Sequence, residues 1–144
     1  MSRQHFSALL FALLLFTASP LLANNLIMVR TVLPLEQVAT GLKTVVADHG
    51  YIVLDDKNFG EQRYSVVTVE NRTMNGDLLT RYPMLAPFLP WRIALIVENG
   101  TTLLVSLNPL YLEHHFPNSG PIDFLRQSSR DLRKILLNVG EIKP

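Results

Sequence analysis

Two periods of apolar residues run along the chain. After Pro34, the residues Leu35, Val38, Ala39, Leu42, Val45 and Val46 recur at the three- and four-residue spacing of a single helical stripe. Gly50 stops that stripe, and Glu36 falls in the first turn, where the helix dipole favours an acid. A second stripe follows Pro121 with Ile122, Leu125, Leu132, Ile135, Leu136 and Val139, and ends at Gly140. Around these helices lie strand-like runs: Asn25 to Leu33, Tyr51 to Leu54, Tyr64 to Val69, Trp91 to Glu98 and Thr102 to Leu107. A polar loop holding Asp55, Asp56, Lys57, Asn58 and Gly60 is expected between the second and third runs. The last two flank Asn99-Gly100, the pair that best fits a tight hairpin, because both central residues need positive φ. Met74, Leu78 and Leu79 suit a turn or two of helix broken at Asn75-Gly76, and Pro83, Pro87 and Pro90 impose an irregular passage. Beyond Pro109 a loop is expected.

The order is therefore βαββ, a short α, then ββα. It predicts an α+β two-layer domain with an antiparallel or mixed sheet of about five strands and two main helices on one face. Alternation in the hairpin places Trp91, Ile93, Leu95 and Val97 on one side. Ile96, Leu104 and either Met28 or Val29 are expected on the face that the helices leave open. Large apolar residues on an open sheet face point to a partner, and a homodimer through that face is the first expectation.

Composition changes this picture mainly at the amino terminus. Arg3, an uncharged apolar run from Phe6 to Phe16 and Ala23 before Asn24-Asn25 have the order of a secretory signal over residues 1–23. The run is too short and too soon interrupted by Thr17, Ser19 and Pro20 for a span of roughly 20 apolar residues. Residues 24–144 then form one domain, exported to the periplasm or, as second choice, secreted, with no membrane span after cleavage. Removing the signal takes away Arg3 alone among the charged residues, so the 13 basic and 12 acidic residues of the whole chain become equal in number. A neutral surface has no general attraction for phosphate backbones, which argues against a nucleic acid partner. The absence of cysteine removes disulfides, thiol catalysis and lipoprotein-type modification together.

Candidate chemistry is sparse. Glu113-His114-His115 is the one dense group of metal-type ligands, and imidazole with carboxylate suits zinc, copper or nickel. Adjacent residues diverge on a strand or helix, so both rings reach one ion only from a loop. His49 ends the first helix and fits a dipole-compensating cation. Arg126, Arg130, Arg133 and Lys134 form a basic stripe interleaved with Asp123 and Asp131, which is the pattern of a solvated helix face. Trp91-Arg92 offers an aromatic surface and a charge at a strand start, with Trp91 itself in phase with the core. There is no Gly-rich phosphate loop, Gly-x-Ser-x-Gly elbow, HExxH or cysteine nucleophile.

Four features in order resemble exported members of the domain of unknown function 302 family: the helix after Leu33, the Asn71 segment, Leu89-Pro90 before a hairpin, and Asn108-Pro109 followed by Tyr111-Leu112. The resemblance covers essentially the whole mature chain. It departs at two turns: the family's Gly-Asn-Pro is Glu70-Asn71-Arg72 here, and its Asn-Asp-Pro is reduced to Asn108-Pro109. The resemblance implies a small α+β fold, often exported in bacteria, and brings no established reaction. The resulting expectation is a non-enzymatic ligand-binding or protein-interaction module, with Asn71, Arg92 and Asn108 as candidate ligand contacts and no particular cofactor. The alternatives are a periplasmic metal or cofactor carrier using Glu113, His114 and His115, and a small hydrolase with a site assembled by the fold.

Overall fold

The computed structural model describes residues 25–61, 63–72, 77–116 and 120–142. The expected signal segment, residues 1–23, and the expected helix break at Asn75-Gly76 lie outside these. In chain order the elements are β1 (Leu26–Thr31), α1 (Leu35–Asp48), β2 (Tyr51–Phe59), β3 (Tyr64–Asn71), the single turn α2 (Leu78–Arg81), β4 (Trp91–Glu98), β5 (Thr101–Leu107) and α3 (Ile122–Gly140). Short 3-10 turns cover Pro83–Leu85 and Pro109–His115. The strands form one antiparallel sheet ordered β1-β5-β4-β3-β2, so the fold is α+β as expected.

Strands β1 and β2 follow one another in the chain yet occupy opposite edges of the sheet. Helix α1 lies in the connection between them and packs against β2, β3 and β4. Its buried stripe of Val38, Leu42 and Val46 faces the sheet. Helix α3 packs beside α1 and along β1, on the same face of the sheet. It buries Leu125, Leu132, Ile135, Leu136 and Val139 completely. A Cβ on Gly140 would stand 2.7 Å from Val29 Cγ1, so the end of α3 rests on β1 where only glycine fits without displacement.

The hairpin decides which residues face the helices. Asn99 and Gly100 have φ of 52° and 76°, and their two-residue turn pairs Glu98 with Thr101 and Leu95 with Leu104. Residues directly opposite share a face. Leu104 therefore follows Leu95 inward, and both are fully buried. This corrects the sequence reading for Leu104: Leu103 and Val105 take the outer face, with Ile96 and Met28 there as expected. Val29, paired with Leu104, faces the core.

The polar stretch after Leu54 is a second correction, because β2 continues through it to Phe59, past a bulge between Val53 and Asp55. Pairing with β3 is a main-chain matter, and the acids of this edge strand find partners. Asp56 accepts from Lys43 Nζ at 3.0 Å and from the buried Ser65 hydroxyl at 2.9 Å. The expected loop beyond Pro109 is instead a 3-10 turn started by Asn108, whose Oδ1 accepts from the Leu110 amide at 3.2 Å.

Candidate interaction site

The outer face of the sheet carries two adjoining apolar rows that no described element covers. One runs Met28, Val105, Ala94, Val66 across β1, β5, β4 and β3, and the next runs Leu103, Ile96, Tyr64, Phe59 across β5, β4, β3 and β2. Met28 is 53% exposed, Tyr64 41% and Ile96 37%, while Leu103, Val105, Ala94 and Val66 are half-buried by one another. The Phe59 and Tyr64 rings stack at 5.0 Å, giving one end of the second row a flat aromatic surface. Charges frame the rows. Arg30 pairs with Glu98 at 2.7 Å and donates to Thr101 at 2.9 Å, and Lys57 pairs with Asp55 at 3.1 Å. Arg92, opposite Thr68 on the same face, is exposed.

Asn71 and Asn108 end β3 and β5, strands that run in the same direction, so the two asparagines come to one end of the sheet. Asn108 meets Ser129 of α3, and Asn71 and Ser128 meet at the Tyr51 hydroxyl. Asn108 is buried and accepts from Ser129 Oγ at 2.7 Å. Asn71 lies opposite Tyr51, and its side chain and Ser128 sit against the Tyr51 hydroxyl. Ser128 Oγ is buried there without a well-formed hydrogen bond. Tyr51 donates to Asp131 Oδ2 at 3.2 Å, Asp131 Oδ1 accepts from Gln127 at 2.8 Å, and Gln127 Oε1 accepts from Arg130 at 2.8 Å. Asn108 thus serves as a turn cap and a strut to α3, and Asn71 joins a polar network that leads from the core to the surface. Arg92 stands apart from both, on the open face.

The network ties β2 and β3 to α3. Burial, followed by the neighbouring Asp131 charge, pushes the Tyr51 hydroxyl far above its usual range. The folded state then holds that proton where an unfolded tyrosine releases it, so its contribution to stability is complete below about pH 10 and declines as pH rises past that value. Tyr51→Phe is expected to lower stability at pH 7 by about 1 kcal/mol and to flatten the alkaline loss above pH ~10, both read by urea unfolding at a series of pH values. In the sequence the sign of this network is Ser128-Ser129, two hydroxyls placed between Leu125 and Leu132 on the apolar side of a helix.

Glu113, His114 and His115 share the 3-10 turn, the carboxylate on Arg126 and both imidazoles on Tyr111. Glu113 accepts from Arg126 of α3 at 3.1 Å, and both imidazoles stand edge-on to Tyr111, at ring distances of 6.5 and 5.9 Å. Among the described residues no group of three or more potential ligands is arranged to hold a metal ion. A cleft of about 330 Å³ lies between α1 and β2, lined by Glu36, Thr40, Lys43, Asp56 and Asn58 among others. Ser65, whose hydroxyl donates to the Asp56 carboxylate of that lining, is fully buried. No described helix is long and apolar enough to cross a membrane.

No family model and no curated protein matches the sequence. In fold the chain is similar to the crystal structure of an uncharacterized conserved protein, DUF302, from Bacillus stearothermophilus. The TM-score is 0.74 at 17% identity, over 81% of this chain and 99% of that one. The chain thus has the fold of a DUF302 protein, the family that the order of its sequence motifs resembles.

Proposed function

We propose that this chain is an exported, non-enzymatic interaction module that binds an apolar partner surface on the open face of its sheet. The observation that carries the reading is the pair of uncovered apolar rows, Met28-Val105-Ala94-Val66 and Leu103-Ile96-Tyr64-Phe59. Contiguous apolar area of this kind is costly to leave in water and marks binding surfaces on soluble domains. The framing charges at Arg30, Glu98, Asp55 and Lys57 supply the polar rim that such surfaces have. The polar clusters elsewhere are satisfied within the protein: Asp56 by Lys43 and Ser65, Glu113 by Arg126, Asp131 by Tyr51 and Gln127.

The test is photo-cross-linking in the cell envelope, with a photoreactive amino acid placed at Ile96 on the open face or at Thr44 on the outer side of α1. A discrete adduct is expected from Ile96, lost when Val105→Lys charges the neighbouring site, and none from Thr44. Equal labelling from both positions would overturn the reading. So would turnover by the purified chain on esters, phosphomonoesters or peptides.

A further inference from the structure

The two free edges of the sheet are built differently. β2 carries a bulge and the successive charges Asp55, Asp56 and Lys57, devices that discourage pairing with another strand. β1 has neither a bulge nor a proline. The Asn25 carbonyl accepts from the Asn108 amide at 2.8 Å, which fixes the alternation. Ile27, Val29 and Thr31 bond toward β5, and the main-chain groups of Leu26, Met28 and Arg30 point outward. Beside this edge, a groove of about 210 Å³ separates β1 from Arg133 and Leu137 of α3.

We infer that a second copy of this chain docks on the β1 edge, joining the two sheets into one about a two-fold axis at Met28. The sequence reading places the second copy on the open face, but the edge is self-complementary in two layers. In the sheet, antiparallel pairing centred on Met28 sets Met28 against Met28 of the second copy and Leu26 against Arg30, with each pair exchanging two N–H···O bonds. In the helix layer, Arg133, Leu137 and Glu141 follow at four-residue intervals and form one exposed stripe. The same axis runs the two α3 helices antiparallel. Leu137, 45% exposed, then meets its own copy, and Arg133 of each chain meets Glu141 of the other. Among the described residues neither Arg133 nor Glu141 has an ion-pair partner within its own chain. Both helix layers lie on one side of the joined sheet, and the two open faces become continuous on the other.

This inference does not rest on the open face being a binding surface, and its test reads a different quantity. Sedimentation velocity of the chain beginning at Asn24 is expected to show a dimer. Met28→Pro removes an outward N–H and leaves the β5 pairing intact, so it is expected to yield a monomer with an unchanged circular dichroism spectrum. Arg133→Glu is expected to raise the dissociation constant by at least about tenfold, and Arg133→Glu with Glu141→Arg to restore it to within about threefold, because the pair is only reversed. Should the proline variant fail to fold, the charge exchange decides alone. A monomeric parent chain overturns the inference, as does a dimer indifferent to all three variants. A dimer dissociated by Ile96→Lys and not by the edge variants also overturns it, and moves the second copy to the open face.

Discussion

Leu104→Ala is expected to destabilise the protein by about 2–5 kcal/mol, whereas Leu103→Ala, one residue away on the same strand, should cost under about 1.5 kcal/mol. Leu104 is fully enclosed between Leu95 and Val29 on its neighbouring strands and the helices above, so truncation leaves a cavity that the surroundings fill only in part. Leu103 is half-buried on the open face, and its loss removes contact area without leaving an enclosed void. The comparison tests the hairpin register directly, because a slip of one residue exchanges the two side chains between faces. Denaturant midpoints for both variants against the parent decide it. Equal losses, or a larger loss at Leu103, would contradict the register.

Asn108→Ala should lower stability by about 2–3 kcal/mol. The asparagine carbonyl accepts from Ser129 Oγ and from the Leu110 amide. Its removal therefore leaves a buried hydroxyl and the first turn of the Pro109–His115 segment without their acceptor. Ser129→Ala in the same background is expected to recover about 1 kcal/mol, since no hydroxyl is then orphaned. Thermal or urea unfolding of the two single variants and the double variant gives the coupling. Strict additivity would show that the hydrogen bond carries no net stabilisation. The asparagine thus acts as a strut between β5 and α3, and this accounts for its burial without invoking a ligand.

The polar contacts that organise this end of the sheet also separate the two kinds of candidate residue. Asn71 and Asn108 face inward toward α3, the first against Tyr51 and the second against Ser129. Arg92 lies on the outer face beside the apolar rows. A site that uses Arg92 is therefore a surface site on the sheet, reached by a partner without entering the core.

Local pattern was sufficient for the helices, the hairpin and the order of elements, because each rests on interactions within a few residues. Val38, Leu42 and Val46 lie on one stripe whatever they pack against, and Asn99-Gly100 turns the chain by its own φ preferences. The inward or outward sense of β5 depended on pairing across the hairpin, and there the tertiary structure reversed the expectation for Leu104. Polarity likewise misled at Asp55 to Phe59, since an edge strand tolerates charge wherever a helix such as α1 brings a lysine to an aspartate.

The sequence by itself determined a βαββ-short α-ββα chain with two amphipathic helices and a tight hairpin. These follow from backbone preference and from the period of apolar residues, both local quantities. Only the tertiary structure decided that β1 closes the sheet beside β5, that Tyr51 reaches Asp131 across 80 positions of sequence, and that eight apolar residues from five strands join in two rows on one open face. Those are contacts between distant segments, and their geometry is set by strand order and register, which no local period encodes.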